Sequence, residues 1–237
     1  MILLTCEHGG NKIPVAYKNQ FKNQEAVLAT HRGLDIGVLE IAMLMQKSLK
    51  APFVYATTSR LVVDLNRTLE NPTLFSEFMK ALSQAELKKV LDKYYFSHWL
   101  NVRKNIKNLL KKNNCIVHIA VHSMTDNLNG KKRKMQLALL YNPAFKKEVK
   151  FTSFWIKELR KEFPKYTIAR NKPYRGDGDG LTCEMRKENR PDNYIGVEIE
   201  LNQGLLQQMN VKEKKQLAAG LSRSLKKASN AIYFYAK

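Results

Sequence analysis

The chain has few cysteines, no long apolar stretch and about half as many acids as bases, and each shortage narrows what it can be. Its three cysteines, Cys6, Cys115 and Cys183, are odd in number, far apart and without a CxxC pair. They make neither a disulfide framework nor a zinc ribbon, and they suit a reducing cytoplasm. No apolar run approaches the roughly 18–20 residues needed to span a bilayer, so no membrane partner is expected. The opening MILLTCEH lacks the basic and long apolar regions of a secretory signal and is expected to begin a buried strand. Acids number 21 against 41 Lys and Arg, a formal charge of +20, and such a field attracts anions large and small. The bases are dispersed, with only short clusters such as Lys111-Lys112 and Lys131-Lys132-Arg133-Lys134. A dispersed excess is the mark of a solvated surface, so nucleic acid is not expected as the main ligand.

What is present suits a globular enzyme. Hydrophobic residues make up 44% of 237, enough for one core, and residues 1–237 are expected to form a single domain. Apolar runs at Ile2–Cys6, Phe53–Ala56, Leu61–Leu65, Ile116–His122, Leu137–Tyr141, Tyr166–Ala169 and Tyr194–Leu201 predict strands. Between them, Leu34–Leu49 places Leu34, Val38, Ile41, Ala42 and Met45 on one helix face. Further helices are predicted over Phe75–Leu110 (broken near Ser83), Phe151–Phe163 and Lys212–Lys226. This alternation predicts an α/β layered domain with helices on both faces of a central sheet. Asn171–Asn193, with Gly176, Gly178 and Gly180 among charges, is expected to be one long functional loop.

The polar residues of interest stand where strands end, the usual place for sites in open α/β sheets. His8 follows the first strand and precedes two glycines; alone it is more often a turn or core histidine. Asp35 opens a predicted helix, where a capping carboxylate is the ordinary role. His122 ends its strand, with His118 on the same face further back as a packed neighbour. Together His8, Asp35 and His122 form the donor set of a catalytic zinc site, which leaves a position for water. A carboxylate base is then needed. Alternation along Val197–Asn202 puts Glu198, Glu200 and Asn202 on one face and aliphatic residues on the other. Two acids on such a strand are costly unless they meet a cation or a cavity. Arg60, Asp64 and Asn66 share one register of the predicted Leu61–Leu65 strand region, where Asp64 can simply pair with Arg60 or Arg67. Arg60, Arg67 and Arg175 are candidates for holding an acidic substrate, because guanidinium groups grip carboxylates in a bidentate way. Tyr174, beside Arg175, is counted with them.

Six segments, CEHGGNKIP, HRGLDIG, SRLVVDLNR, HSMT, NKPYRGDGDG and YIGVEIELNQ, run in this order from residue 6 to 203. Together they resemble the N-formylglutamate amidohydrolase family. The resemblance implies a three-layer α/β/α fold with a central mixed sheet, of the zinc-dependent exopeptidase type. It implies Zn2+ held by His8, Asp35 and His122, and hydrolysis of a small anionic N-acyl amino acid, in the type reaction N-formyl-L-glutamate to formate and glutamate. The branch used in histidine degradation keeps only the second acid of the last strand. That makes Glu200 the general base and Glu198 its neighbour. The chain is short for that branch, whose first motif also differs around the histidine, so the family is better supported than the substrate. Two rivals remain: a peptide or cell-wall amidase on the same zinc site, and a basic binding protein with a vestigial amidase site.

Overall fold

A computed structural model describes residues 1–128 and 130–234. In chain order its strands are β1 (Ile2–Cys6), β2 (Phe53–Tyr55), β3 (Ile116–Met124), β4 (Asn127–Leu128), β5 (Lys131–Lys132), β6 (Leu137–Leu140), β7 (Ile168–Arg170) and β8 (Tyr194–Asn202). Its α-helices are α1 (Glu25–Leu28), α2 (Val38–Leu49), α3 (Gln84–Val90), α4 (Ser97–Leu110), α5 (Lys146–Glu162), α6 (Leu181–Glu188), α7 (Gln203–Gln208) and α8 (Val211–Phe234). Six strands form one sheet in the order β2-β1-β3-β8-β6-β7. All neighbours are parallel except β6, which runs antiparallel to β8. The fold is mixed α/β, with a mostly parallel sheet between helix layers. Among the described residues no helix is long and apolar enough to cross a membrane.

The central strand β3 is buried along its whole length, as expected of a strand covered on both faces. One face carries Val117, Ile119, Val121, Val197 and Ile199, packed against Ile41 and Met45 of α2, Phe151 and Trp155 of α5, and Leu221 of α8. Trp155 Nε1 also donates to Ser224 Oγ at 3.1 Å, joining α5 to α8. The other face packs against Trp99, Val102 and Ile106 of α4 and Met185 of α6. His118, His122, Glu198 and Glu200 point to this second side.

Three predicted elements differ. Leu61–Leu65 is not a strand: Val62 N donates to Ser59 O at 2.9 Å, closing a turn. The run is apolar because it lies under α4, and the carbonyls a strand partner would have taken are met by side chains. Trp99 Nε1 donates to Leu65 O at 3.0 Å and Tyr95 OH to Arg67 O at 2.8 Å. The predicted loop 171–193 contains α6. Of the predicted helical stretch Phe75–Leu110, residues 75–82 form turns, and helix begins only after Ser83, where Ser83 and Glu86 form a capping box that starts α3. A π-helical segment, Leu91–Phe96, links α3 to α4.

Candidate active site

The turn after β1, the segment before α2 and the carboxyl-end part of β3 bring His8, Asp35 and His122 together; the strand does not end at His122 as expected but runs on to Met124. His8 lies just past β1, and its carbonyl accepts from Asp35 N at 2.9 Å, fixing one turn to the other. Asp35 stands before α2, which begins after Gly37 in a left-handed conformation (φ 77°). Its side chain does not take the ordinary capping role at this helix. Asp35 Oδ2 instead meets His122 Nδ1 at 2.9 Å and His8 Nδ1 at 3.6 Å, and accepts from Ser123 N at 3.2 Å. Donor atoms of the three residues lie within 4.8 Å of one another, and all three are buried.

The far side of each ring also meets a carboxylate. His8 Nε2 is 2.7 Å from Asp64 Oδ1, and His122 Nε2 is 3.0 Å from Glu7 Oε2. Both Nδ1 atoms are thereby turned toward Asp35, and the buried Nδ1 of His8 has no hydrogen-bond partner among the described residues. An orphaned imidazole nitrogen beside a second imidazole and a carboxylate fits a divalent cation of the zinc type, with the outer carboxylates fixing the rings.

Electrostatics keep the cluster charged. Burial alone would raise the Asp64 carboxyl, but Arg60 and His8 outweigh it and hold it well below the usual carboxylate range. Asp35 is likewise lowered, by His8 and His122 against burial. Burial disfavours a charged His122, yet Asp35 and Glu7 overcome this and raise it well above the ordinary histidine value. A cation entering the site competes with the proton that these two carboxylates favour on His122. Metal uptake is expected to release a proton and to weaken as pH falls, by about tenfold per pH unit for each proton released. Titration calorimetry with zinc in buffers of different ionisation enthalpy measures the proton count; zero would contradict it.

These donors open onto a cavity of about 250 Å³ that Glu198, Glu200, Arg60, Asn66, Arg67, Tyr174 and Arg175 also line. Glu200 is 7% exposed, and its Oε2 has no partner. Burial pushes its carboxyl up to about 8, with Asp35 and Glu198 adding and His122 and Arg60 opposing. Glu198 accepts from Thr182 Oγ1 at 2.7 Å. Three of the residues singled out around the substrate site are held by other partners. Asp64 is absent from the cavity lining and stands behind His8. Arg60 is committed to Asp64 through Nε at 3.1 Å and Nη2 at 2.7 Å, and reaches Asp35 at 3.4 Å. Arg175, 73% exposed, is held by Asp177 at 2.6 Å. Arg67 is the freest guanidinium, with Asp179 at 3.9 Å. Asn66 Oδ1 accepts from Leu181 N at 2.8 Å, clasping the start of α6, and its Nδ2 lies 3.5 Å from His122 Nε2.

The glycine-bearing segment before α6 is fastened on both flanks. Asp179 accepts from Asn71 Nδ2 at 2.6 Å and from Thr68 N at 3.2 Å. Tyr174 OH accepts from Arg133 Nη2 at 3.1 Å, with the guanidinium over its ring. Gly176 lies so close to the end of β6 that a Cβ there would sit 2.0 Å from Tyr141 N and 2.4 Å from Leu140 C. Backbone atoms cannot yield, so Gly176→Ala is expected to lift the segment, costing about 1–3 kcal/mol of stability and raising KM. Thermal unfolding and steady-state kinetics test it; unchanged values in both would refute the close packing.

Residue-type reasoning gave no role to Glu7, His98, Thr182 or Asp179. Alternation along β1 puts Leu3, Thr5 and Glu7 on one face, the face of His118 and His122, and that signal was available for Glu7. Thr5 Oγ1 and Tyr194 OH do hold the two nitrogens of His118, at 2.9 and 2.7 Å, making it a packed neighbour of the site. Nothing local marks Thr182 or Asp179, whose partners are more than ten residues away.

Comparison with known proteins follows the same lines. Residues 1–207 match the model of the N-formylglutamate amidohydrolase family. A solved gene product of Agrobacterium tumefaciens is similar at 26% identity and a TM-score of 0.81, over 98% of this chain and 91% of that one. The N-formylglutamate amidohydrolase of Ralstonia eutropha JMP134 is similar at 18% identity and a TM-score of 0.71, over 96% and 93%. A search of curated proteins finds no match.

Proposed function

Because this chain belongs to the N-formylglutamate amidohydrolase family, we propose that it is a zinc-dependent hydrolase of small anionic N-acyl amino acids, with N-formyl-L-glutamate the first substrate to try. Membership supports the hydrolysis of an amide; the substrate and the metal are the finer reading. The observation that carries it is the buried set His8, Asp35 and His122, with an unpartnered Nδ1, opening on the same cavity as the unpartnered Glu200 Oε2.

His8 Nδ1, Asp35 Oδ2 and His122 Nδ1 would hold Zn2+, which supplies Lewis acidity, polarising an acyl carbonyl and acidifying water. Glu200 takes the proton of the attacking water and returns it to the leaving nitrogen. Burial sets the carboxyl at about 8 with His122 and Arg60 already opposing it, and a divalent cation held beside it would favour the ionised form that serves as a base. Arg60, tied in place by Asp64, lends fixed positive charge where the acyl oxygen gains negative charge. Arg67, the least engaged guanidinium, grips the substrate carboxylate, with the Asn66 amide beside it and Tyr174 and Arg175 at the rim. A cavity of about 250 Å³ suits an acylated amino acid.

The test offers N-formyl-L-glutamate, N-acetyl-L-alanine and a muramoyl peptide to zinc-loaded and chelator-stripped protein, and measures amine release. Fastest cleavage of formylglutamate, lost on stripping, supports the reading. Faster cleavage of the muramoyl peptide would move the cell-wall amidase forward, and no cleavage by zinc-loaded protein would sink the enzyme.

A further inference from the structure

Glu7 is a buried carboxylate that the proposed chemistry does not use. It is wholly buried. Its Oε2 is 3.0 Å from His122 Nε2 and its Oε1 is 3.5 Å from His98 Nε2. Neither oxygen has an aligned hydrogen bond among the described residues, and His98 Nε2 has none either. Asp64, the matching carboxylate behind His8, is better provided for: Arg60 donates to it twice, and Asn66 N donates to its Oδ1 at 2.9 Å. A buried carboxylate with only two imidazoles for company costs stability. An amide would fill the same place without a buried charge, so the use of the carboxylate lies in what it touches.

We infer that Glu7 is a positioning residue, which holds the His122 ring by Nε2 so that Nδ1 faces the cavity, while His98 braces Glu7 from α4. The arrangement makes the two histidines of the cluster equivalent, each with a carboxylate on its outer nitrogen. Two fixed rings leave Asp35 a single geometry to complete. His98 is 7% exposed, so the brace extends the site through β1 into the helix layer behind it. Outer carboxylates of this kind orient a ligating ring and increase its basicity, and losing one costs about 10–100-fold in metal affinity.

This inference rests on the proposed metal site, and the experiment separates the two. Zinc affinity is measured by competition with a chromophoric chelator for wild type and Glu7→Gln, beside the unfolding midpoint of each metal-free protein and the visible spectrum of each Co2+-loaded form. The expected result is zinc affinity lower by about 10–100-fold in Glu7→Gln, a shifted cobalt band, and a metal-free midpoint equal to or above that of wild type. Affinity within twofold of wild type would overturn the inference, as would a loss of affinity matched by an equal loss of metal-free stability, the mark of a merely structural residue. Ring-nitrogen NMR of zinc-loaded wild type decides the case if the variant fails to fold. A proton on His122 Nε2 supports the inference, and zinc on Nε2 overturns it. Wild type that takes up no zinc would sink the site and this inference together; zinc uptake indifferent to Glu7→Gln would sink this one alone.

Discussion

Glu200→Gln is expected to keep its metal and to lose turnover by about two to four orders of magnitude, the ordinary contribution of a positioned general base. Glutamine keeps the shape and cannot take the proton. The choice of Glu200 over Glu198 rests on their surroundings. Glu198 Oε1 is occupied by Thr182 Oγ1 at 2.7 Å, whereas Glu200 Oε2 is buried and unpartnered beside the metal candidates. Glu198→Gln is therefore expected to cost much less. Steady-state kinetics with metal content measured on the same samples tests both. Unchanged turnover in Glu200→Gln, or a larger loss in Glu198→Gln, would reverse the assignment.

The same substitution has an opposite effect on stability, and the sign follows from the carboxyl's position. Burial raises folded Glu200 from its ordinary 4.5 to about 8. At neutral pH the metal-free folded protein holds a proton there that the unfolded chain has lost. The group is neutral to stability below about 4.5 and costs progressively more as pH rises toward 8, reaching a few kcal/mol. Glutamine does not titrate. Metal-free Glu200→Gln should thus match wild type in urea unfolding at pH 5 and exceed it at pH 8. An activity loss coupled to a stability gain is what a group kept for chemistry produces.

The sheet was legible in the sequence because its middle strands are buried on both faces. Ile116–His122 and Tyr194–Leu201 show as apolar runs, and period-two alternation puts His118 with His122 on one face of the first and Glu198 with Glu200 on one face of the second; that the two faces coincide comes from the pairing of β3 with β8. What misled was burial without a ladder. Leu61, Val62, Val63 and Leu65 are as apolar as a strand, yet Trp99 and Tyr95 take the backbone carbonyls near them, and no local signal distinguishes the two cases. The helix α6 was hidden for the converse reason. Arg186 makes its inner face look polar, but the guanidinium is buried against Glu148 at 2.7 Å, a partner 38 positions earlier. Within the site, residue types named the inner donors, and the pairing of Arg60 and Asp64 was foreseen as the ordinary alternative. The outer carboxylates were not, since which histidine nitrogen meets which acid depends on the tertiary fold.

Removing either inner histidine is expected to abolish tight zinc binding and with it activity, but the two variants should differ in stability. His8→Ala leaves Asp64 with two hydrogen bonds from Arg60 and one from Asn66 N, so its buried charge stays compensated and the cost is mainly a small cavity. His122→Ala leaves Glu7 wholly buried with His98 alone, at 3.5 Å. Stripping a buried charge of its nearer partner costs about 3–5 kcal/mol, so His122→Ala should unfold at a clearly lower temperature than His8→Ala. Adding Glu7→Gln removes the stranded charge and should recover most of the difference, while zinc binding stays lost. Elemental analysis of the purified variants and their unfolding midpoints decide this. Zinc retained at about one equivalent in both single variants would move the metal site away from these residues. Equal stability of the two would show that Glu7 is not charged in the folded protein.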